Sequence, residues 1–183
     1  MGEVTELLKR SSAGDSGARS ELYTLLYADL TGLARAQLAK AGAITLDPAA
    51  LVHESWLRTS QTAAALPAAR PQFFGFAASV MRNVVIDHVR RRDAEKRGGG
   101  LDPVTLSTSM PDGTIGKSSL LRLDEALREL AKLDERCHSI VEMRYFAGLS
   151  HAEIAESLGV SVPTIKRDWR RAKAFLFDFL SQP

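Results

Sequence analysis

Apolar residues recur three and four positions apart along most of the chain, while the period-two alternation of a strand is nearly absent. This spacing is typical of amphipathic α-helices, because it places the apolar side chains on one face. Five segments show it most clearly: 17–40, 48–57, 73–92, 120–133 and 140–145. The first ends before Gly42, and the second begins at Asp47-Pro48, where a proline in the first turn loses no needed hydrogen bond. The pattern predicts an all-α fold.

Glycine and proline mark the boundaries between these segments. Residues 68–72, with Pro71 inside them and Pro67 before them, are predicted to form a loop. Beyond 97 the chain is rich in Gly, Pro, Ser, Thr and Asp, and this composition is typical of a flexible tether. We therefore expect two small helical domains, 1–97 and 119–183, joined by a linker over 98–118.

The strongest local signal is a helix-turn-helix pattern in the last 40 or so residues. Ser150 and Glu153 have the spacing of a capping box, in which each side chain accepts a hydrogen bond from the other residue's backbone amide. Gly159 supplies a tight turn, and Ser161 followed by Pro163 is a second helix start. The apolar stripe of the second helix is Ile165, Trp169, Ala172 and Leu176.

The remaining positions of that helix are polar and mostly basic. They are Thr164, Lys166, Arg167, Arg170, Arg171 and Lys173. A helix that enters the major groove of DNA needs such a face, with its first turn near base edges and its later cations near phosphates. The pattern favours DNA binding, and the alternative is a helical hairpin with only a structural role.

The formal net charge of +2 hides an uneven distribution of charge. Residues 61–100 carry 7 basic and 3 acidic side chains, whereas residues 101–135 carry 4 basic and 7 acidic ones. Residues 136–183 are basic again, with 7 against 5. Two basic stretches on predicted helices are a plausible footprint for a polyanion, and solvated helix faces are the simpler interpretation.

Other chemistry finds little support in the sequence. Cys137 is the only cysteine, which excludes a disulfide framework and a cysteine-rich zinc site. His53-Glu54 lacks the second histidine of a zinc-protease helix, because Leu57 stands there. No phosphate-binding glycine loop and no Ser-His-Asp set is recognisable, so we expect a protein that is not an enzyme and has no cofactor or metal. No signal peptide or membrane helix is evident, which favours a cytoplasmic protein.

Three ordered motifs resemble the extracytoplasmic-function (ECF) sigma factors, the promoter-specificity subunits of bacterial RNA polymerase. They are ALVHESWLR at 50–58, FAASVMRNVVIDHVRRR at 76–92, and YFAGLS at 145–150 just before the helix-turn-helix. The resemblance covers nearly the whole chain. It implies a transcription initiation factor that binds core RNA polymerase and promoter DNA and helps to melt the promoter. The domain 1–97 would bind the polymerase clamp and the −10 element, and the domain 119–183 would read the −35 element.

The resemblance also implies roles for residues of the N-terminal domain. Asn83 matches the Arg-Asn motif and can both donate to and accept from a base edge, so it is the first candidate for a −10 contact. The basic residues expected to hold phosphates there are Arg82, Arg90, Arg91 and Arg92. Asp87 is expected to pair within its own helix with Arg90 or Arg91. The loop over 68–72 lies where the family places its base-capturing loop.

The helix around 50–58 resembles the family's clamp-binding helix. The expected polymerase-binding residues are Asp47, Leu51, Val52, Glu54, Trp56 and Arg58. Many relatives carry acidic residues immediately before the Leu-Val pair, but here Ala49 and Ala50 stand there, which would weaken docking on basic clamp residues. Some such relatives are controlled by Ser/Thr kinases, so Thr45, Thr59, Ser60 and Thr62 are candidate phosphate acceptors. An anti-sigma factor is the other candidate partner.

Two further functions are compatible with the same features. A stand-alone helix-turn-helix transcriptional regulator would bind duplex DNA tightly by itself, and it would normally carry a receiver domain that residues 1–97 do not suggest. A helical signalling adaptor would use the basic faces to bind acidic proteins and would show no salt-dependent affinity for DNA.

Overall fold

The computed structural model describes residues 2–41, 46–61, 66–96 and 117–181. Within these ranges the fold is all-α, with no strand, which confirms the expected class. None of the helices there is long and apolar enough to cross a bilayer. The elements are α1 (Glu3–Ser12), α2 (Ser16–Ala41), α3 (Pro48–Gln61), α4 (Arg70–Lys96), α5 (Lys117–Leu133), α6 (Glu135–Val141), a π-helix (Glu142–Phe146), α7 (His151–Leu158) and α8 (Val162–Ser181).

Two boundaries differ from the sequence-based expectation. The first helix, α1, was not predicted, although it buries Leu7 and Leu8 against the core. The loop expected over 68–72 is shorter, because α4 already begins at Arg70 and Pro71 occupies its first turn without loss of a hydrogen bond. Most of the expected linker lies outside the described residues, and its last two positions belong to α5.

Helices α1 to α4 pack around a leucine-rich core. Leu22 and Leu51 are fully buried there, and Met81 and Ile86 are 1% exposed. An ion-pair bridge reinforces the packing of α3 on α4, because Arg58 lies 2.8 Å from the Glu54 carboxylate and 2.7 Å from that of Asp87. The expectation that Asp87 pairs within α4 is therefore wrong. The nearest guanidinium comes from the neighbouring helix, and spacing along one helix does not reveal it.

The C-terminal helices continue this core instead of forming a separate one. The buried apolar cluster that includes Leu22 also includes Leu123, Leu127 and Leu176 from α5 and α8. A second, smaller cluster lies beneath the helix-turn-helix and contains Ile140, Met143, Ile154, Ala155 and Ile165. The two halves therefore lie in direct contact, while the division into domains at 97 and 119 stays a prediction.

Polar contacts also connect the two halves of the chain. The side-chain amide of Gln72 on α4 donates to the carbonyl oxygen of Ser157 on α7 over 3.1 Å. The Lys40 ammonium on α2 donates to the Tyr145 carbonyl and lies 4.2 Å from the centre of the Tyr145 ring. The join therefore involves α2 and α4 on one side and the π-helix and α7 on the other.

The turn between α7 and α8 depends on the left-handed backbone of Gly159, with φ of 64°. We expect Gly159→Ala to lower the free energy of unfolding by roughly 1–2 kcal/mol, because a Cβ atom disfavours this conformation. The matched control is Gly32→Ala in α2, where a Cβ would meet nothing within 4 Å. It should instead stabilise the protein by about 0.5–1 kcal/mol. Urea denaturation measures both, and equal effects would contradict the assignment.

Candidate nucleic-acid interface

Helices α7 and α8 form the helix-turn-helix, and the sequence-predicted caps are present. The Ser150 amide donates to the Glu153 carboxylate over 2.8 Å, and the Glu153 amide donates to the Ser150 hydroxyl over 3.2 Å. These hydrogen bonds with Ser150 hold the pKa of Glu153 below its usual value. At the second helix start, the Thr164 amide donates to the Ser161 hydroxyl over 3.3 Å. The starts of both helices are therefore fixed by side chains close in sequence.

Helix α8 separates an apolar face from a basic one. Ile165, Ala172 and Leu176 are fully buried, and Trp169 is half-buried against the core, so the predicted stripe is confirmed. Thr164 is half-buried, and five basic side chains of this helix are exposed. We call these five the α8 basic face: Lys166, Arg167, Arg170, Arg171 and Lys173. The helix N-terminus at Val162 adds the positive end of the backbone dipole to this face.

A buried carboxylate that was not predicted lies beneath the α8 basic face. Asp168 is fully buried and contacts the Arg136 guanidinium at 2.7 Å and the Arg167 Nε at 3.4 Å. Because 168 falls three positions after Ile165 in the apolar stripe, helical spacing alone could have indicated its inward position. Asp134 similarly contacts the Arg171 guanidinium. Helix α6 is thus joined to α8 by two ion pairs.

Two other titratable groups near α8 have shifted pKa values. Burial lowers the pKa of His151, and the nearby cations Arg144, Lys166 and Lys173 lower it further. The imidazole at the start of α7 is therefore neutral near pH 7, so it adds no charge beside the basic face. Burial also raises the pKa of the Cys137 thiol, which donates to the Asp168 carbonyl over 3.6 Å.

The residues expected to contact the −10 element all lie on α4, but their environments differ. Asn83 is exposed, as are Arg90 and Arg91, and Arg92 is half-buried. Arg90 contacts the Asp124 carboxylate at 3.3 Å, and Arg91 is 3.8 Å from that of Glu54. Arg82 is different, because its side chain is 6% exposed and pairs with two buried carboxylates of the C-terminal half.

The residues expected to bind the polymerase are divided between the core and the surface. Leu51 and Val52 are buried within the N-terminal half, and Trp56 is half-buried with its ring 4.9 Å from that of Tyr23. Asp47 is exposed and caps α3, accepting hydrogen bonds from the amides of residues 49 and 50. Glu54 and Arg58 are half-buried in the ion-pair bridge described above.

Sequence reasoning missed an exposed apolar side chain on the same helix. Leu57 of α3 is 45% exposed, and Leu25 and Tyr27 of α2 are exposed to a similar degree. The sequence predicted a helix that runs through Leu57, but it did not indicate that this side chain is exposed. Large exposed apolar side chains on a charged helix are typical of a protein-binding surface.

The candidate phosphate acceptors are not equivalent. Thr45 and Thr62 lie outside the described residues. Thr59 is buried and its hydroxyl donates to the Trp56 carbonyl over 2.7 Å, whereas Ser60 is exposed. Of the two described acceptors, only Ser60 is accessible to a kinase in this arrangement. Phosphorylation of the chain stays a prediction.

The described residues do not gather a metal-binding group of three or more His, Cys, Asp or Glu side chains. Cys137-His138 stays a lone pair of ligand types within the described part of the chain, with His138 3.3 Å from Glu142.

Comparison with known proteins identifies the family. A model of the ECF sigma factors matches residues 1–182. ECF RNA polymerase sigma factor SigK from Mycobacterium tuberculosis, Mycobacterium bovis and Mycobacterium ulcerans is 24% identical to the chain over 174 residues in each case. These matches cover 93% of the chain and 89% of each relative. Sigma factors are non-enzymatic initiation factors that direct RNA polymerase to promoters, and this chain belongs to the ECF sigma factor family.

Proposed function

We propose that α8 reads the −35 element, that α4 contacts the −10 element through Asn83, and that the exposed side of α3 binds core RNA polymerase. The observation that supports this proposal most directly is the α8 basic face, which follows a capped glycine turn and exposes five cationic side chains along one helix. A helix with this arrangement fits the major groove, where the N-terminal part of a recognition helix contacts base edges.

The α8 basic face divides into two kinds of contact. Lys166 and Arg167 stand in the first two turns, where side chains reach base edges. Arg170 and Lys173 follow at the third and later turns, where phosphates pass the helix. Arg136 lies within the same group of cations, because it shares the Asp168 carboxylate with Arg167. We include it among the phosphate contacts.

On α4, Asn83 and Arg90 are seven positions apart and therefore lie on one face, about 10 Å apart along the helix axis. Such a track suits a single strand, because cations hold the backbone while an amide meets an exposed base edge. Both side chains are exposed in the closed arrangement of the two halves. The polymerase surface would consist of Asp47, Leu57 and the exposed edge of Glu54.

Replacement of Arg167 or Lys166 by alanine should weaken −35 recognition. We expect a loss of about 1–3 kcal/mol in promoter binding for each base contact that is removed. Run-off transcription with core RNA polymerase, on promoters chosen from a randomised library, measures the effect. Lys132→Ala is the matched control, because it removes an exposed lysine that pairs with Glu129 of its own helix, α5. Unchanged promoter choice by both α8 variants would contradict the −35 assignment.

Replacement of Arg170 by alanine should affect affinity without affecting sequence choice. A phosphate contact contributes equally to all sequences, so binding should weaken uniformly and the salt dependence of binding should fall by about one charge. Fluorescence anisotropy of the holoenzyme on a cognate and a scrambled −35 duplex, at several salt concentrations, measures both quantities. A change in the ratio of the two affinities would show instead that Arg170 contacts a base.

Replacement of Asn83 by alanine should slow promoter opening and spare binding to the closed duplex. The variant loses a group that captures an unstacked base, and such a group acts only after strands separate. Permanganate reactivity of −10 thymines measures opening, and a template with a mismatched −10 bubble is the control. The bubble should restore transcription, since its strands are already apart. Normal opening on the intact duplex would remove Asn83 from the interface.

A further inference from the structure

The two halves of the chain are joined by a buried cluster of charges centred on Arg82. One guanidinium nitrogen, Nη1, lies 2.7 Å from the Asp124 carboxylate of α5, and the other, Nη2, lies 2.5 Å from the Glu142 carboxylate of the π-helix. The three side chains are between 2% and 6% exposed. The guanidinium thus contacts two elements of the C-terminal half. We call Arg82, Asp124 and Glu142 the Arg82 cluster.

Further basic side chains surround the two carboxylates. Arg90 and Arg128 approach the second oxygen of Asp124 at 3.3 Å and 3.0 Å. His138 lies 3.3 Å from the Glu142 oxygen that Arg82 contacts. Among the described residues, the Arg82 Nε and the second Glu142 oxygen have no hydrogen-bond partner. The cluster is therefore well paired but not fully satisfied, as expected of a contact that can separate.

Close packing continues from the Arg82 cluster along the same helix. A Cβ atom on Gly75 would lie 2.7 Å from the Met143 Cγ, so only glycine lets α4 approach the π-helix this closely. Gln72 contacts Ser157 one turn earlier. Asn83, next to Arg82 in sequence, instead faces solvent. The face of α4 at Gln72, Gly75 and Arg82 is therefore an interface with the C-terminal half, and the Asn83 side chain itself is not part of it.

We propose that the Arg82 cluster is a latch that holds the free sigma factor closed and inactive. Carboxylate and phosphate groups both present paired oxygen atoms that accept hydrogen bonds from a guanidinium. Asp124 and Glu142 therefore bind Arg82 in place of a promoter phosphate. The closed state also fixes the helix-turn-helix against α4, through the contact of Gln72 with Ser157 of α7, and thereby restricts the approach of α8 to a separate DNA element. Opening of the latch accompanies binding to core polymerase and frees Arg82. This inference rests on the proposed function only where it assigns Arg82 to DNA.

A latch of this kind switches between two states and does not loosen gradually. A charge removed from water is tolerated only beside its counter-charge, and the loss of one partner from a buried pair is strongly destabilising. If the carboxylates are neutralised, Arg82 stays buried without compensation, and the halves separate so that it regains water. The apparent affinity for polymerase rises in proportion, because it is limited by the fraction of open molecules.

The test removes the charge of the two carboxylates, because neither of them is predicted to contact DNA. The variant D124N/E142Q keeps the shape of both side chains and removes their charge. The control E125Q/E135Q removes the same charge from exposed positions of the same two-helix region, and so accounts for the effect of the changed net charge on both measurements. Small-angle scattering of the free chain reports closure, and binding to immobilised core RNA polymerase reports activity.

We expect the wild type and the control to have a radius of gyration near the ~16 Å of one compact body of this length. D124N/E142Q should be larger and should bind core polymerase with an apparent affinity about tenfold or more higher. An unchanged radius would overturn the latch. A larger radius with unchanged affinity would overturn its inhibitory role, while the α8 and Asn83 variants would still test the proposed function separately.

A second variant keeps the test decisive if the first one fails to fold. Gly75→Ala leaves every charge in place and favours the helical state of α4, but its Cβ would lie 2.7 Å from the Met143 Cγ, so the buried Met143 side chain must move or the interface must open. It should shift the radius and the affinity in the same direction as D124N/E142Q. A compact Gly75→Ala chain with wild-type affinity would contradict the latch. Circular dichroism confirms that both variants keep their helices.

Discussion

A charge can be buried in this protein only where a counter-charge contacts it, and this constraint decides how the helices meet. Arg82 is held between Asp124 and Glu142, and Asp168 is held by Arg136. Apolar contacts of short helices tolerate sliding and rotation, because they are not directional. Paired charges do not tolerate either, since a shift of a few ångströms leaves an ion without a partner. The core supplies most of the stability of the assembly, and the buried ion pairs determine its geometry.

The sequence allowed the helices and the helix-turn-helix to be predicted, because their signals are local. The Ser150 cap and the Gly159 turn act within a few residues, and the stripe through Ile165 follows from helical periodicity. Helix α1 was not predicted, because the segment contains few apolar residues from which a helical period could be recognised. Its burial of Leu7 and Leu8 depends on a surface formed by α2, which no local pattern displays.

The candidate site was predictable as a set of residue types but not as an arrangement. The exposure of the α8 basic face follows from periodicity, whereas the burial of Arg82 does not. From the sequence alone, a basic residue beside an asparagine in a DNA-binding motif is expected to be exposed to solvent. Its carboxylate partners are 42 and 60 positions away, across a segment that separates the halves. The same limit explains the wrong partner for Asp87, since Arg58 is 29 positions earlier.

The angular spacing of a helix lets α4 serve two partners at once. Consecutive residues are about 100° apart around the axis, so Arg82 can face the C-terminal half while Asn83 faces solvent. The Asn83 amide is therefore accessible in the closed chain, although the neighbouring Arg82 guanidinium is not. If α4 binds a separated strand as proposed, Arg82 can contribute to the contact with the backbone only after the halves separate. Because α8 belongs to the other half, the same separation would also release the proposed −35 recognition helix.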